Sequence, residues 1–178
     1  MECLLVLGTF ALVFVTAYFM REQIREQARI GDGQLRIAAD QLGAFRNDLG
    51  VRLLLVFSDR FDSPRLVKHR QVLAHQLQTN VADPEIKEAV MNFFEDLGLV
   101  FRRGYLNEHL IWSTFGFYAV GWWGNCAPYI TRERGRKTDQ SIFEDFEKLA
   151  ARMSEIDKGK GINPPDLAAF LTDELQAS

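Results

Sequence analysis

Cysteine is scarce, with two residues in 178. A disulfide framework needs more, and so does a zinc ribbon. Histidine occurs three times, as His69, His75 and His109. His69 and His75 fall on different faces of a helix, and no His-Glu-x-x-His or paired Glu-x-x-His is present. Helical zinc and di-iron centres therefore lack their ligands, and neither a metal nor any other cofactor is expected. No excess of positive charge is present: 21 Lys and Arg stand against 24 Asp and Glu, a net charge of −3. That balance argues against a nucleic-acid partner, because such domains are usually basic. No stretch alternates convincingly between apolar and polar residues, so strands are not expected. What remains is 47% hydrophobic and 25% charged residues, enough for one helical domain with a real core.

The phosphate and nucleophile motifs are also missing. Gly159-Lys160-Gly161 lacks the upstream Gly and following Ser or Thr of a Walker loop, since Ser154 and Gly161 stand there. Gly31-Asp32-Gly33 follows no strand, so a dinucleotide site has no support. No Gly-x-Ser-x-Gly elbow exists, and Cys126 has no His near it in sequence. The chain carries no catalytic constellation.

One uncharged run opens the chain. Cys3–Met20 reads CLLVLGTFALVFVTAYFM, eighteen residues without an ionisable side chain of Asp, Glu, Lys or Arg. At 1.5 Å per residue it nearly spans a hydrocarbon core of about 30 Å, which predicts a transmembrane helix over residues 3–20. A cleaved signal peptide is the rival reading. It needs a basic start and a small-x-small cleavage site, and neither Glu2 nor Tyr18-Phe19-Met20-Arg21 supplies them. Arg21, Arg25 and Arg29 follow the run and no basic residue precedes it. The positive-inside rule then predicts an N-out, C-in protein with its main domain in the cytoplasm.

A helical stalk is expected over 21–50. Ile24, Ala28, Gly31, Leu35, Ala38, Leu42, Phe45 and Leu49 alternate in steps of four and three. That is a coiled-coil seam, or a long helix packed on a bundle. The first reading predicts a weak homodimer through the stalk. Gly31 and Gly33 weaken the helix by about 1 kcal/mol each, so a kink or a break is expected there. Leu53 and Val56 continue the stripe into a helical bundle over 51–157.

Four helix starts are signalled within and after that bundle. Ser63-Pro64, Asp83-Pro84 and Asn163-Pro164 each place a capping side chain before a first-turn proline. Ser141 with Glu144 forms a capping box. Residues 158–178 read as a linker and a short amphipathic helix with Leu167, Phe170 and Leu171. Leu110–Thr131 is uncharged apart from its surroundings and holds Trp112, Phe115, Phe117, Tyr118, Trp122 and Trp123. A helix apolar all round is buried, here as the central helix of the core. A membrane contact of this segment is the alternative reading.

Several blocks of this sequence belong together. They are Asp62-Ser-Pro64 with Arg70, Met91-Asn-Phe-Phe-Glu95-Asp-Leu-Gly98, Arg103-Gly-Tyr-Leu106, Trp122 and Phe146-Glu-Lys-Leu-Ala150. With these, the stretch from Arg52 to Met153 resembles a bacterial family of uncharacterised, often membrane-anchored helical proteins, domain of unknown function 4760. The resemblance implies a helical domain anchored at a bacterial inner membrane and carries no activity, cofactor or site.

Two groups of side chains remain as candidate sites. Arg70 shares the face of Leu66, Leu73 and Leu77, so it points inward. A buried guanidinium needs a carboxylate. Glu95, on the mixed face of its own helix, is the first choice of partner, with Glu108 and Asp59 as alternatives. A structural ion pair and a ligand site both fit this pair. Arg132, Arg134, Arg136 and Lys137 form the basic cluster, a candidate contact for anionic lipid head groups, with nucleic acid and the solvated end of a helix as the other readings. The resulting expectation is a membrane-anchored module for interaction, scaffolding or signalling, with an unidentified protein partner. Its rival is an enzyme or ligand binder using an Arg/Glu site in a helical cleft.

Overall fold

The computed structural model describes residues 2–79 and 84–177, with the side chains of 2–18, 24, 28, 30, 32 and 84–87 outside that description. The elements in chain order are α1 (Glu2–Phe61), α2 (Pro64–Thr79), α3 (Pro84–Arg102), α4 (Glu108–Lys137), α5 (Glu144–Gly159) and α6 (Leu167–Gln176). No strand occurs among the described residues, as the lack of alternation predicts. The chain divides into two compact units, Met1–Arg46 and Asn47–Ser178.

The first unit is the arm of α1. Leu35, Leu42 and Phe45 of the heptad seam are 70%, 55% and 63% exposed. Ile24 and Ala28 of the same seam lie outside the described side chains. The helix runs unbroken through Gly31-Asp32-Gly33, so a break there is corrected. Two glycines cost about 2 kcal/mol together, less than a sixty-residue helix gathers by propagation on both sides.

The membrane expectation is also corrected. Among the described residues no helix is long and apolar enough to cross a membrane. The integral single-span, N-out/C-in placement at an inner membrane therefore does not stand. From Arg21 onward α1 carries charge along its length, with pairs Arg25–Glu22, Arg29–Glu26 and Arg52–Asp48 at 3.8, 3.0 and 2.8 Å. The backbone of 3–20 belongs to α1, and the side chains of 3–18 lie outside the described residues.

The second unit holds the core. α4 runs through it and buries Ile111, Phe115, Ala119, Trp122, Cys126 and Ile130, one residue per turn. The uncharged stretch is thus a core helix, and Trp122 is fully buried. α5 packs on α3 and α4, α2 packs on α3, and α6 lies on α2 and α4. Phenylalanine dominates the centre. Phe61 of α1 meets Phe93 at 5.3 Å and Phe115 at 5.5 Å, and Phe94 stacks on Phe146 at 5.0 Å. Each such pair adds about 0.5–1.5 kcal/mol beyond the area it buries.

The helix starts follow local chemistry, with two departures from expectation. Ser63 Oγ accepts from Leu66 N at 3.3 Å and begins α2 as its sequence predicts. Asp83, expected to cap α3, lies outside the described residues. Ser141 does not cap α5. Its N–H and hydroxyl both bond Asp139 Oδ1, at 2.9 and 2.7 Å, and α5 begins only at Glu144. Phe143, in the left-handed region at φ 55°, stands at the cap and offers no side-chain acceptor. Nor does Asn163 cap the last helix. Asp166 accepts from Ala168 N and Ala169 N at 2.9 and 3.2 Å, so α6 starts at Leu167, past both prolines.

Candidate functional site

Arg70 lies where its spacing predicts, on the buried stripe of α2 with Leu66 and Leu73. Its partner differs from expectation. The carboxylate beside it is Glu174 of α6, with Nε and Oε2 3.6 Å apart and the two side chains 5% and 3% exposed. Arg70 and Glu95 are not brought together. Of the alternatives, Glu108 pairs with Arg152 at 2.7 Å and Asp59 is exposed. Glu174 carried a signal that spacing could have revealed. It follows Leu167, Phe170 and Leu171 by seven, four and three residues, so it shares their apolar face.

The pair is poorly satisfied. At 3.6 Å it is an ion pair without a hydrogen bond, and Arg70 Nε and Glu174 Oε2 both lack a hydrogen-bond partner. The guanidinium instead stacks over the Phe61 ring, 3.7 Å from its centroid. Burial pushes the Glu174 carboxyl above its usual range, against the opposing pull of Arg70. Desolvation thus outweighs attraction at this spacing. A cavity of about 400 Å³ adjoins the pair, bounded by Phe117, Tyr118, Phe170 and Asp173.

Around this pair α6 is seated by shape as well as charge. Phe170 is 1% exposed and meets Trp122 edge-on at 5.4 Å. Its ring fills the notch left by Gly121, where an added Cβ would come within 2.5 Å of the ring. Gln71 of α2 donates to Ala177 O at 2.6 Å, and Asn125 of α4 donates to Leu167 O at 3.4 Å. The walls of the seat are therefore α2 and α4, and α6 is the occupant.

Glu95 has another task. Its carboxylate accepts from Phe146 N at 2.7 Å, at the open N-terminus of α5. It supplies from α3 the cap that Phe143 cannot. Burial raises its pKa, while the bonds from Phe146 N and Asp145 N oppose that rise. Neighbouring Asp145 is held by Arg102 in a fork, with Nη2 3.0 Å from Oδ2.

The basic cluster is largely engaged. Arg134, 12% exposed in its side chain, binds Glu147 at 2.7 Å and donates to Ile142 O at 2.9 Å. Arg136 binds Glu133 at 2.6 Å. Arg132 and Lys137 remain exposed. The four side chains therefore do not form one free cationic surface.

A cleft of about 390 Å³ at the start of α2 is lined by Arg60, Arg65, His69 and Asn92. Arg60 there is bound to Asp96 at 2.7 Å. Among the described residues no three His, Cys, Asp or Glu side chains group as metal ligands would.

No curated protein and no solved structure matches this chain. The family described as "Domain of unknown function (DUF4760)" does, over residues 38–153. That stretch covers more than half of the sequence, including both walls of the α6 seat, and stops within α5. The chain belongs to the DUF4760 family.

Proposed function

We propose that this protein is a non-catalytic interaction module that pairs with a second copy of itself through α1. The observation that carries this reading is the exposed seam of the arm. Leu35, Leu42 and Phe45 are more than half exposed, on a helix of 60 residues. Leu35, Leu42, Leu49 and Val56 recur every seven residues, the period at which two helices keep one seam in contact. An apolar stripe that long is rare on a surface meant for water alone. The stripe is self-complementary, since in a parallel pair each Leu42 faces the other Leu42. Gly31, the seam glycine, where an added Cβ meets nothing within 4 Å, leaves room for close approach. Self-association of this kind would set two helical domains side by side, as a scaffold does.

Cysteine at position 42 tests the idea. Oxidation of Leu42→Cys should give a covalent dimer, and sedimentation should show a dimer that dissociates on dilution. Leu35→Glu with Leu42→Glu should be monomeric with an unchanged helical circular dichroism. A wild-type chain that sediments as a folded monomer up to high concentration would overturn the reading.

A further inference from the structure

We propose that the cavity beside Arg70 and Glu174 binds a free α-amino acid with an apolar side chain. The ligand's carboxylate meets Arg70, and its ammonium meets Glu174 and Asp173. Two buried side chains with unmet needs carry this inference. Arg70 and Glu174 are 5% and 3% exposed, yet Arg70 Nε donates to nothing and Glu174 Oε2 accepts from nothing. Buried polar groups normally find partners, so one donor and one acceptor here call for an occupant. Both side chains line the same cavity of about 400 Å³, a volume within the range of small-molecule sites. Phe61 holds the guanidinium by its face, 3.7 Å from the ring centroid. The N–H donors lie in the guanidinium plane, so that contact satisfies none of them.

The charges select the class of ligand. The cavity sets one guanidinium against two carboxylates, those of Glu174 and Asp173. Asp173 is near enough to oppose ionisation of Glu174. An anion alone would satisfy Arg70 and be repelled by the two carboxylates. A cation alone would satisfy the carboxylates and face a buried guanidinium. A zwitterion complements both. Arg70 Nε and Glu174 Oε2 are 3.6 Å apart, so the two ligand charges must sit close together. A carboxylate and an ammonium on one carbon atom meet that condition.

The walls select the ligand's side chain. Phe117, Tyr118 and Phe170 line the cavity, with the Phe117 and Phe170 centroids 5.5 Å apart. Phe117 is 52% exposed, whereas Phe115 on the same helix is 1% exposed. A ring that open at the edge of a cavity offers area for an apolar side chain to cover. All of these residues lie in the second unit, so the site is independent of pairing through the arm.

Isothermal titration of the full-length chain with L-phenylalanine, L-leucine and L-tryptophan at neutral pH tests the proposal. Saturable binding of at least one is expected. Each binder is then compared with its analogues lacking the ammonium or the carboxylate, which for L-phenylalanine are phenylpropanoate and phenethylamine. Either analogue should bind at least tenfold more weakly. Arg70→Met with Glu174→Leu removes both buried charges and keeps the volume filled. That variant should retain its helical circular dichroism and lose binding. Failure of all three amino acids to bind would overturn the proposal. So would an analogue that binds as tightly as its parent, or undiminished binding by the double variant. If the double variant does not fold, the comparison of analogues on the wild-type chain decides alone.

Discussion

The Glu95 carboxylate receives the Phe146 amide hydrogen at 2.7 Å, so α3 caps α5 across the interior of the domain. This long-range cap takes over from a local one. Ser141 is occupied with Asp139, and the left-handed Phe143 has no acceptor to offer. A helix end that is buried needs its N–H groups satisfied from somewhere.

Glu95→Ala should therefore behave as loss of a cap. Stability should fall by about 1–2 kcal/mol, the usual range for such losses. Glu95→Gln keeps an acceptor oxygen and should recover much of that. Urea unfolding compares the three. Combined with Arg70→Met, the Glu95→Ala loss should add within about 0.5 kcal/mol, because the two side chains do not meet. A clear coupling would restore the pairing that spacing suggested.

Arg70→Met should leave Glu174 buried beside no cation. A loss of about 3 kcal/mol at neutral pH is expected, limited by the free energy with which α6 docks. Adding Glu174→Leu removes the stranded carboxylate and should return most of it. Thermal unfolding of the single and double variants decides the matter. A double variant as unstable as the sum of its parts would mean that Arg70 and Glu174 act independently.

The pH dependence follows from two raised carboxyls, Glu95 and Glu174, both above the ordinary value of 4.5. A group raised on folding contributes stability that is complete below its unfolded pKa. That contribution is lost as pH rises through the folded value. Glu174→Gln removes one such group. Its stability relative to wild type should rise as pH climbs from 4.5 toward neutrality, and level off at acid pH. A difference that stays constant with pH would show that Glu174 does not titrate in a buried setting.

Gly98 marks the closest approach of α3 to α5. A Cβ there would lie 2.3 Å from Asp145 O, a backbone atom that cannot turn aside. Gly98→Ala should cost about 3 kcal/mol, the upper range for overpacking, despite the better helix propensity of alanine. Gly33→Ala, with nothing within 4 Å, should instead stabilise by a few tenths of a kcal/mol to about 1 kcal/mol. Denaturation midpoints of the two variants should move in opposite directions.

Much of the fold was legible because helices announce themselves locally. The cap at Ser63 and the stripes of α2, α4 and α5 are contiguous patterns that a single chain segment carries. The long uncharged stretch of α4 called for burial in protein or lipid, and it is the centre of the core. Arg70 was placed correctly for the same reason, since its own helix fixes which way it points. The caps at Ser141 and Asn163 misled because Asp139 engages the Ser141 hydroxyl, and because Asp166, three residues on, caps a helix that starts later. Such contests are decided by fractions of a kcal/mol that spacing does not resolve.

Periodicity in the sequence determined the helical class, the seam of α1 and the inward face of each buried helix. Only the tertiary structure decided the partners. Arg70 and Glu174 are 104 positions apart, and Glu95 and Phe146 are 51 apart. Each side chain declares what it needs, a carboxylate for a buried guanidinium or an acceptor for an open helix end. Several candidates could have met those needs. Which one does is set by how α6 settles between α2 and α4, and by how closely Gly98 lets α3 approach α5. Those distances depend on the packing of the whole domain, so no local stretch of sequence contains them.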